Sequence, residues 1–374
     1  MLKIALRMLI GDTAKYLALV LGLAFSTTLI VQQGSVFTGL MRRAATQVES
    51  IPQAEIWVMD AATRYFDERR PIEDTAVQRV RGVEGVEWAE PVFFGMGTAQ
   101  MPDRTFASVL IIGVDRGARL GLADRFEDGH PEAITEPDAI YWDHLNLPIY
   151  QQVKTGTTLE INDRRARVVA VASAPRIFLS TPVVYTTYQR ALAYSPGSRK
   201  RLTFVLVKAK PGFDHAQVVA NIQSATGLGA KTSDTFFWET VRFYLKNTGI
   251  GINFGLTVLL GFVVGAAVAG QTFFTFIVEN TRHFAALKAM GLSNGKLVAM
   301  VLLQALVVGV LGWGLGVGAA TLFGHRITDR SVVAFLLTPH LLGISFVGTL
   351  TTVLLAGAVS VRRVVAVPPA VVFR

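Results

Sequence analysis

The stretch that decides the reading is ENTRHFAALKAMGLSNGK, residues 279–296, a short basic segment between two long hydrophobic runs. Residues 250–278 before it and 297–323 after it are almost wholly apolar. Each run exceeds the roughly 20 residues that a helix needs to cross a bilayer. Working outward, residues 16–37 and 336–361 are two more runs of that kind. The sequence therefore predicts four transmembrane helices, with 279–296 as the loop joining the second to the third.

Composition fits this pattern. The chain has 374 residues, of which 51% are hydrophobic and 17% charged, and a mean hydropathy of +0.43. That mixture belongs to a membrane protein carrying a sizeable soluble domain. No cysteine is present, which excludes disulfides, thiolate metal sites and thiol nucleophiles.

Residues 41–249 carry 25 basic and 24 acidic side chains and are close to neutral. At the opposite ends of the spans, Lys3, Arg7, Lys15, Arg282, Lys288, Lys296, Arg362, Arg363 and Arg374 face only Asp12 and Glu279. The positive-inside rule puts both termini and the 279–296 loop in the cytosol, and the large domain outside. The excess positive charge hugs membrane ends and forms no basic groove, which argues against nucleic-acid binding.

In chain order the expected organisation starts with a cytosolic amphipathic helix over residues 1–15 and a first span over 16–40, continuing as a stalk to about 49. An external α+β domain follows over 50–235, with a second stalk over 236–249. The remaining spans cover 250–278, 297–323 and 336–361, with the coupling loop at 279–296, a short outer loop at 324–335 and a cytosolic tail at 362–374. Asp12 is a plausible cap for the first span. Within the external domain, residues 55–59, 86–94, 202–209 and 230–233 read as strands and 74–81 and 214–226 as helices, giving two β-α-β units. Between them, 108–114, 139–142, 157–161, 166–172 and 183–186 read as short strands of an inserted β-rich subdomain.

Several motifs fail for want of context. Gly291-Leu-Ser293-Asn-Gly295 matches the nucleophile elbow, but the chemistry requires a strand before the serine, and here there is a membrane-edge loop. The same turn imitates a phosphate loop with three residues where four are needed, and Leu297 stands in place of the Mg²⁺-binding hydroxyl. Ser293 and Lys296 mimic S-x-x-K in the wrong setting. Asp128, His130, Asp143 and His144 have no metal-ligand spacing, and Asp67-Glu68 followed by Arg69-Arg70 reads as a solvated face. The chain is not expected to be an enzyme, nor to bind a metal or cofactor itself.

At residues 279–291 the sequence resembles the permeases of the FtsX/MacB class, the mechanotransmission (type VII) ABC systems. Glu279, Arg282, Leu287, Lys288, Ala289, Met290 and Gly291 match that class's acidic, basic and apolar-apolar-Lys-Ala-apolar-Gly pattern. The run VLLQALVVGVLGWGLGVG and the tail RRVVAVPPAVVFR resemble its glycine-rich third span and basic ending. Asn280 and His283 depart from the usual basic and acidic residues and resemble the DevC-like branch, whose permeases are separate from their ATPases.

The resemblance implies a porter-like subdomain formed by both ends of the external domain, with the β-rich subdomain inserted. It also implies a permease homodimer in the bacterial inner membrane, an ABC ATPase subunit that binds ATP and Mg²⁺, and a periplasmic adaptor. ATP-driven efflux of a lipophilic or amphiphilic substrate is the expected function. The alternative is an FtsX-like regulator that moves a cell-wall hydrolase. The loop's Phe284, Leu287 and Met290 are expected to plug a groove on the ATPase, with Glu279, Arg282 and Lys288 beside them and Gly291 allowing the reversal. A substrate path is expected where Gln32 and Gln33 of the first span approach Asn253 of the second.

Overall fold

The computed structural model describes residues 13–115, 123, 125–143, 150–173, 178, 181–195, 202–330 and 334–366. The amphipathic helix and Asp12 cap expected before residue 13, His144, and the end of the tail beyond residue 366 lie outside the described residues. The chain divides into two compact units, residues 1–40 with 249–374 and residues 41–248.

The first unit holds the long helices α1 (Thr13–Ala44), α7 (Ile250–Glu279), α9 (Asn294–Arg330) and α10 (Pro339–Ala366), together with the short α8 (Thr281–Ala289). Segments Tyr16–Ala44, Ile250–Glu279, Asn294–Arg326 and Pro339–Val361 are each long and apolar enough to cross a membrane. Their packing is built on close approach at glycine, as expected where lipid supplies no hydrophobic drive between helices. A Cβ at Gly265 would lie 2.2 Å from Ser26 Oγ, and one at Gly316 would lie 2.6 Å from the Ala24 carbonyl oxygen and from Thr27 Cβ. Gly312 meets Leu23 in the same way, and Gly348 meets the Phe262 ring.

Several polar groups in this unit pair across helices. Ser26 Oγ donates to the Gly261 carbonyl at 2.7 Å, the Thr27 and Thr349 hydroxyls share a hydrogen bond of 3.1 Å, and Trp313 Nε1 donates to Ser345 Oγ at 3.1 Å. Ser26, Thr27 and Thr28 of the first span thus serve helix packing. The two faces of α9 differ: around Gly314 and Gly318 there is open space, in contrast to Gly312 and Gly316. Gly316→Val is therefore expected to destabilise the helical unit by about 1–3 kcal/mol through overpacking, while Gly318→Ala stays near neutral. Thermal unfolding in detergent compares the two; equal midpoints would remove the close-approach account of this face.

The second unit begins with α2 (Thr46–Glu49) and continues β1 (Ile56–Met59), α3 (Ala76–Arg81), β2 (Val86–Gln100), β3 (Phe106–Val114), β4 (Phe126–Gly129), β5 (Ala139–Asp143), β6 (Thr158–Ile161), β7 (Arg164–Ala172), β8 (Val183–Thr187), α4 (Tyr188–Tyr194), β9 (Phe204–Ala209), α5 (His215–Thr226), β10 (Gly229–Thr232) and α6 (Ser233–Asn247). Strands β10-β1-β9-β2 lie side by side, all antiparallel, with α3 and α5 in the two crossovers. This is the split β-α-β arrangement, made from the two ends of the domain. Its core is the apolar set Ile56, Val58, Val77, Val80, Val205, Val207, Val218 and Ile222.

The inserted subdomain is a closed ring. The outer half of β2 pairs with β3, β3 with β8, β8 with β5, β5 with β7, β7 with β6, and β6 returns to β2. Closure leaves no free edges among these six strands and encloses Phe93, Val109, Ile111, Trp142, Leu159, Ile161 and Val184. Gly113 is needed because α4 crosses there: a Cβ would lie 2.3 Å from Ala191 Cβ. A third core joins the two subdomains, where Trp57, Phe66, Phe94, Phe204 and Phe236 pack with ring centroids 5.0 to 6.2 Å apart.

Helix α6 is fixed to this core by the loop after β1. Phe66 N donates to Thr240 Oγ1 at 3.1 Å, and Tyr65 stacks on Phe243 with centroids 3.7 Å apart. Tyr244 OH donates to Asp67 Oδ2 at 2.6 Å, while Arg69 Nη2 pairs with Asp67 Oδ1 at 2.7 Å. Burial pushes the Arg69 guanidinium below its usual range, against the pull of Asp67.

Candidate functional site

The turn between α7 and α9 is built by three backbone devices. At its start, Asn280 breaks the helix at φ −86° and ψ 11°, and its amide Nδ2 donates back to the Phe276 carbonyl at 2.9 Å. Thr281 Oγ1 donates to the Ile277 carbonyl at 3.0 Å, so the polar residues at this break satisfy carbonyls of the preceding helix. Helix α8 then ends on Gly291 at φ +91°. Leu292 N donates to the Leu287 carbonyl at 3.1 Å and Gly291 N to the Lys288 carbonyl at 3.0 Å, which is a Schellman termination. Leu287 and Leu292, the residues that motif brings together, both pack on the helical core. Finally, Lys296 N and Leu297 N donate to the Ser293 carbonyl at 3.0 and 3.2 Å, starting α9.

The side chains divide differently from the sequence expectation. Phe284 is buried to 1% exposure and packs with Phe276, Ile277, Leu297 and Met300, while Leu287 is half-buried against the same core. These two seat α8 on its own unit. Met290 is 75% exposed. The reason is helical geometry: at 100° per residue, Met290 stands about 240° around the axis from Phe284, so the two cannot share a face. The outward face of α8 is Arg282, Ala286, Ala289 and Met290, at spacings i, i+4, i+7 and i+8, with His283 beside it. Glu279 is exposed and Lys288 half-buried. His283 and Ala289 were not among the expected docking residues, although the 3.6-residue period could have found them.

Ser293 follows a helix and opens another, so no strand–turn–helix elbow is present. Among the described residues no group of three His, Asp or Glu side chains lies close enough to hold a metal.

Gln32 and Gln33 do not meet Asn253. Helices α1 and α7 run antiparallel with Phe37 against Phe254 at 5.4 Å, Ile30 against Gly261, Ser26 against Gly265 and Gly22 against Val268. This register sets Thr38 opposite Asn253 and Gln33 opposite Val258. At 1.5 Å rise per residue Gln33 and Gln32 are about 7.5 and 9 Å from Asn253 along the axis, more than a turn. Asn253 is exposed and both glutamines are half-buried. Long apolar runs show that these segments can span a bilayer, but not which of them are neighbours or in what vertical register.

Four helices long and apolar enough to cross a membrane, a capped turn between the second and third, and an α+β domain inserted after the first define a membrane-protein class with a large extramembrane domain. Comparison with known families agrees with this class. Residues 17–225 match the MacB-like periplasmic core domain and residues 239–369 match the FtsX-like permease C-terminal family. The chain belongs to the FtsX/MacB family of ABC transporter permeases, and as such it works with an ATPase subunit.

Two uncharacterized ABC transporter permeases of Mycobacterium tuberculosis, from strains CDC 1551 and H37Rv, are each 23% identical to it over 356 residues, covering 94% of this chain and 93% of theirs. Among solved structures, the periplasmic region of MacB from Actinobacillus actinomycetemcomitans superposes with a TM-score of 0.38 at 15% identity, over 54% of this chain and 96% of that one. The extracellular domain of the noncanonic ABC-type transporter YknZ from Gram-positive bacteria gives 0.35 at 10% identity, over 48% and 98%.

Proposed function

We propose that this permease is the transmembrane subunit of an exporter in the bacterial inner membrane and that the α8 turn receives its ATPase. The turn faces the cytosol with both termini, as the charge placement requires, and the α+β domain lies outside. Met290 is the apolar knob for a groove on the ATPase, with Arg282 and His283 at the rim and Phe284 and Leu287 holding the turn to its own helices. ATP and Mg²⁺ bind in the ATPase, not here. Two copies of the chain form the functional unit, and a periplasmic adaptor meets the outer domain.

One observation carries this reading: a capped turn that leaves a large apolar residue, Met290, 75% exposed. Because α6 is tied to the domain core by Thr240 and Tyr244, movement of the stalk would be passed to the whole domain, which suits efflux of a lipophilic or amphiphilic substrate from the outer side.

Isolating the chain from its native membrane under mild detergent is expected to bring with it an ATP-hydrolysing subunit and a second permease copy. Recovery of a cell-wall hydrolase on the outer domain, with no adaptor, would favour the regulatory alternative. Recovery with no ATPase under any nucleotide condition would contradict the assignment.

A further inference from the structure

We propose that the exposed face of α6 is a docking surface for anionic phospholipid headgroups, in the leaflet that meets the amino-terminal end of α7. At 100° per residue, Trp238, Arg242, Leu245 and Lys246 share one side of α6. Trp238 is 54% exposed, Leu245 is 38% exposed, and both cations are exposed. The opposite side, with Phe236 and Thr240, is buried in the domain, and Val241 is buried at the edge of the exposed face.

Three observations select a lipid surface as the occupant. The first is charge. Arg242 and Lys246 are like charges at i and i+4, an arrangement that opposes helix formation unless an anion compensates it. Neither has an acidic partner among the described residues. They border a cavity of about 480 Å³ with Arg64 and Lys231. The one acid lining that cavity, Glu239, is taken by Lys231 at 2.6 Å.

The second is composition. A tryptophan and a leucine flanked by arginine and lysine form the amphipathic set that settles at a membrane–water boundary, with the ring at headgroup depth and the cations reaching phosphate. A purely polar ligand would leave Trp238 and Leu245 without a role. The third is chain position: Lys246 precedes Ile250, the first residue of a membrane span, by four residues. Even fully extended, that tether is at most about 14 Å long, so the carboxy-terminal end of this face is covalently held near a bilayer surface.

The chain has no native cysteine, so Leu245→Cys carrying an environment-sensitive fluorophore gives a single reporter. The full-length permease is reconstituted in nanodiscs of phosphatidylcholine with increasing phosphatidylglycerol, some lipids bearing a headgroup nitroxide. The expected result is a blue shift and nitroxide quenching that rise with the anionic fraction and fall when salt is raised. Adding Arg242→Gln and Lys246→Gln should weaken apparent affinity for the anionic headgroups by roughly 25-fold, about fivefold per charge, so that quenching no longer rises with the anionic fraction. Both residues are exposed, so their loss leaves the domain folded, which its unfolding midpoint verifies.

Quenching that ignores lipid charge and the double substitution would overturn the proposal. So would a reporter that stays in water in every lipid mixture. A blue shift that depends on permease density in the disc, without nitroxide quenching, would assign the face to a second copy and equally overturn it.

Discussion

Replacing Met290 with Asp is expected to abolish retention of the ATPase by this permease while leaving the permease folded. Met290 is 75% exposed, so the carboxylate costs the isolated chain little. In a complex the same carboxylate would be forced into an apolar groove, and loss of an apolar anchor alone weakens binding by about 2 kcal/mol or more, roughly 30-fold. Leu287→Asp is a poorer probe, because Leu287 packs on the permease's own core and its loss would also loosen α8.

Gly291→Val should reach the same end by another route. At φ +91° a β-branched residue costs on the order of 1–2 kcal/mol, so the Schellman turn opens and Met290 is no longer held in place. Co-purification with the ATPase, paired with the unfolding midpoint of each variant, separates the two effects. Met290→Asp should lose partner without losing midpoint, and Gly291→Val should lose some of both. Undiminished co-purification of both variants would remove the turn as the docking site.

The second large effect belongs to the α6 anchor. Asp67→Ala is expected to destabilise the α+β domain by about 3 kcal/mol, because it strands the mostly buried Arg69 without its counter-charge and frees the Tyr244 hydroxyl. Tyr244→Phe leaves the Arg69–Asp67 pair intact and should cost only about 1 kcal/mol. Chemical denaturation of the full chain, followed by a probe in the α+β domain, ranks them. An Asp67→Ala midpoint equal to that of Tyr244→Phe would mean the pair contributes nothing beyond its hydrogen bond. Glu68 makes a contrast on the same loop: Arg64 holds its carboxyl down at about 2, but Arg64 is itself exposed and its pull is screened by solvent, so Glu68→Gln should cost less than Asp67→Ala.

Much of the architecture is legible in the sequence because it depends on local patterns. Apolar runs longer than a bilayer, basic residues at their ends, and short Val-rich apolar runs such as 204–209 or 166–172 require no knowledge of distant partners. The features that escape depend on contacts far apart in the chain. Strand β2 runs from Val86 through Gln100, although Pro91, Gly95 and Gly97 read as breaks. The glycines are there because a Cβ at Gly95 would lie 2.5 Å from the Phe93 ring and one at Gly97 would lie 2.6 Å from Ile111.

That single strand serves both subdomains, pairing with β9 in its first half and β3 in its second. The ring closure by β6, a strand of only four residues, likewise has no local signature. Strand β4 and helix α4 are too short and too mixed in pattern to stand out. At the turn, Gly291 was legible as a reversal. The split between seated Phe284 and exposed Met290 requires the helix phase and the identity of the neighbouring core, and only the first of these is in the sequence.

The central claim is that the α8 turn is where the ATPase sits, and the absence of native cysteine allows a direct test. Met290→Cys, in an otherwise unchanged chain co-expressed with its ATPase, is treated in native membranes with a short thiol-to-amine cross-linker. The account predicts one adduct, permease to ATPase, that is lost when Gly291→Val is added. It also predicts none when the cysteine is placed at Phe106, an exposed position on β3 of the α+β domain. No adduct from position 290, or an equal one from position 106, would contradict it.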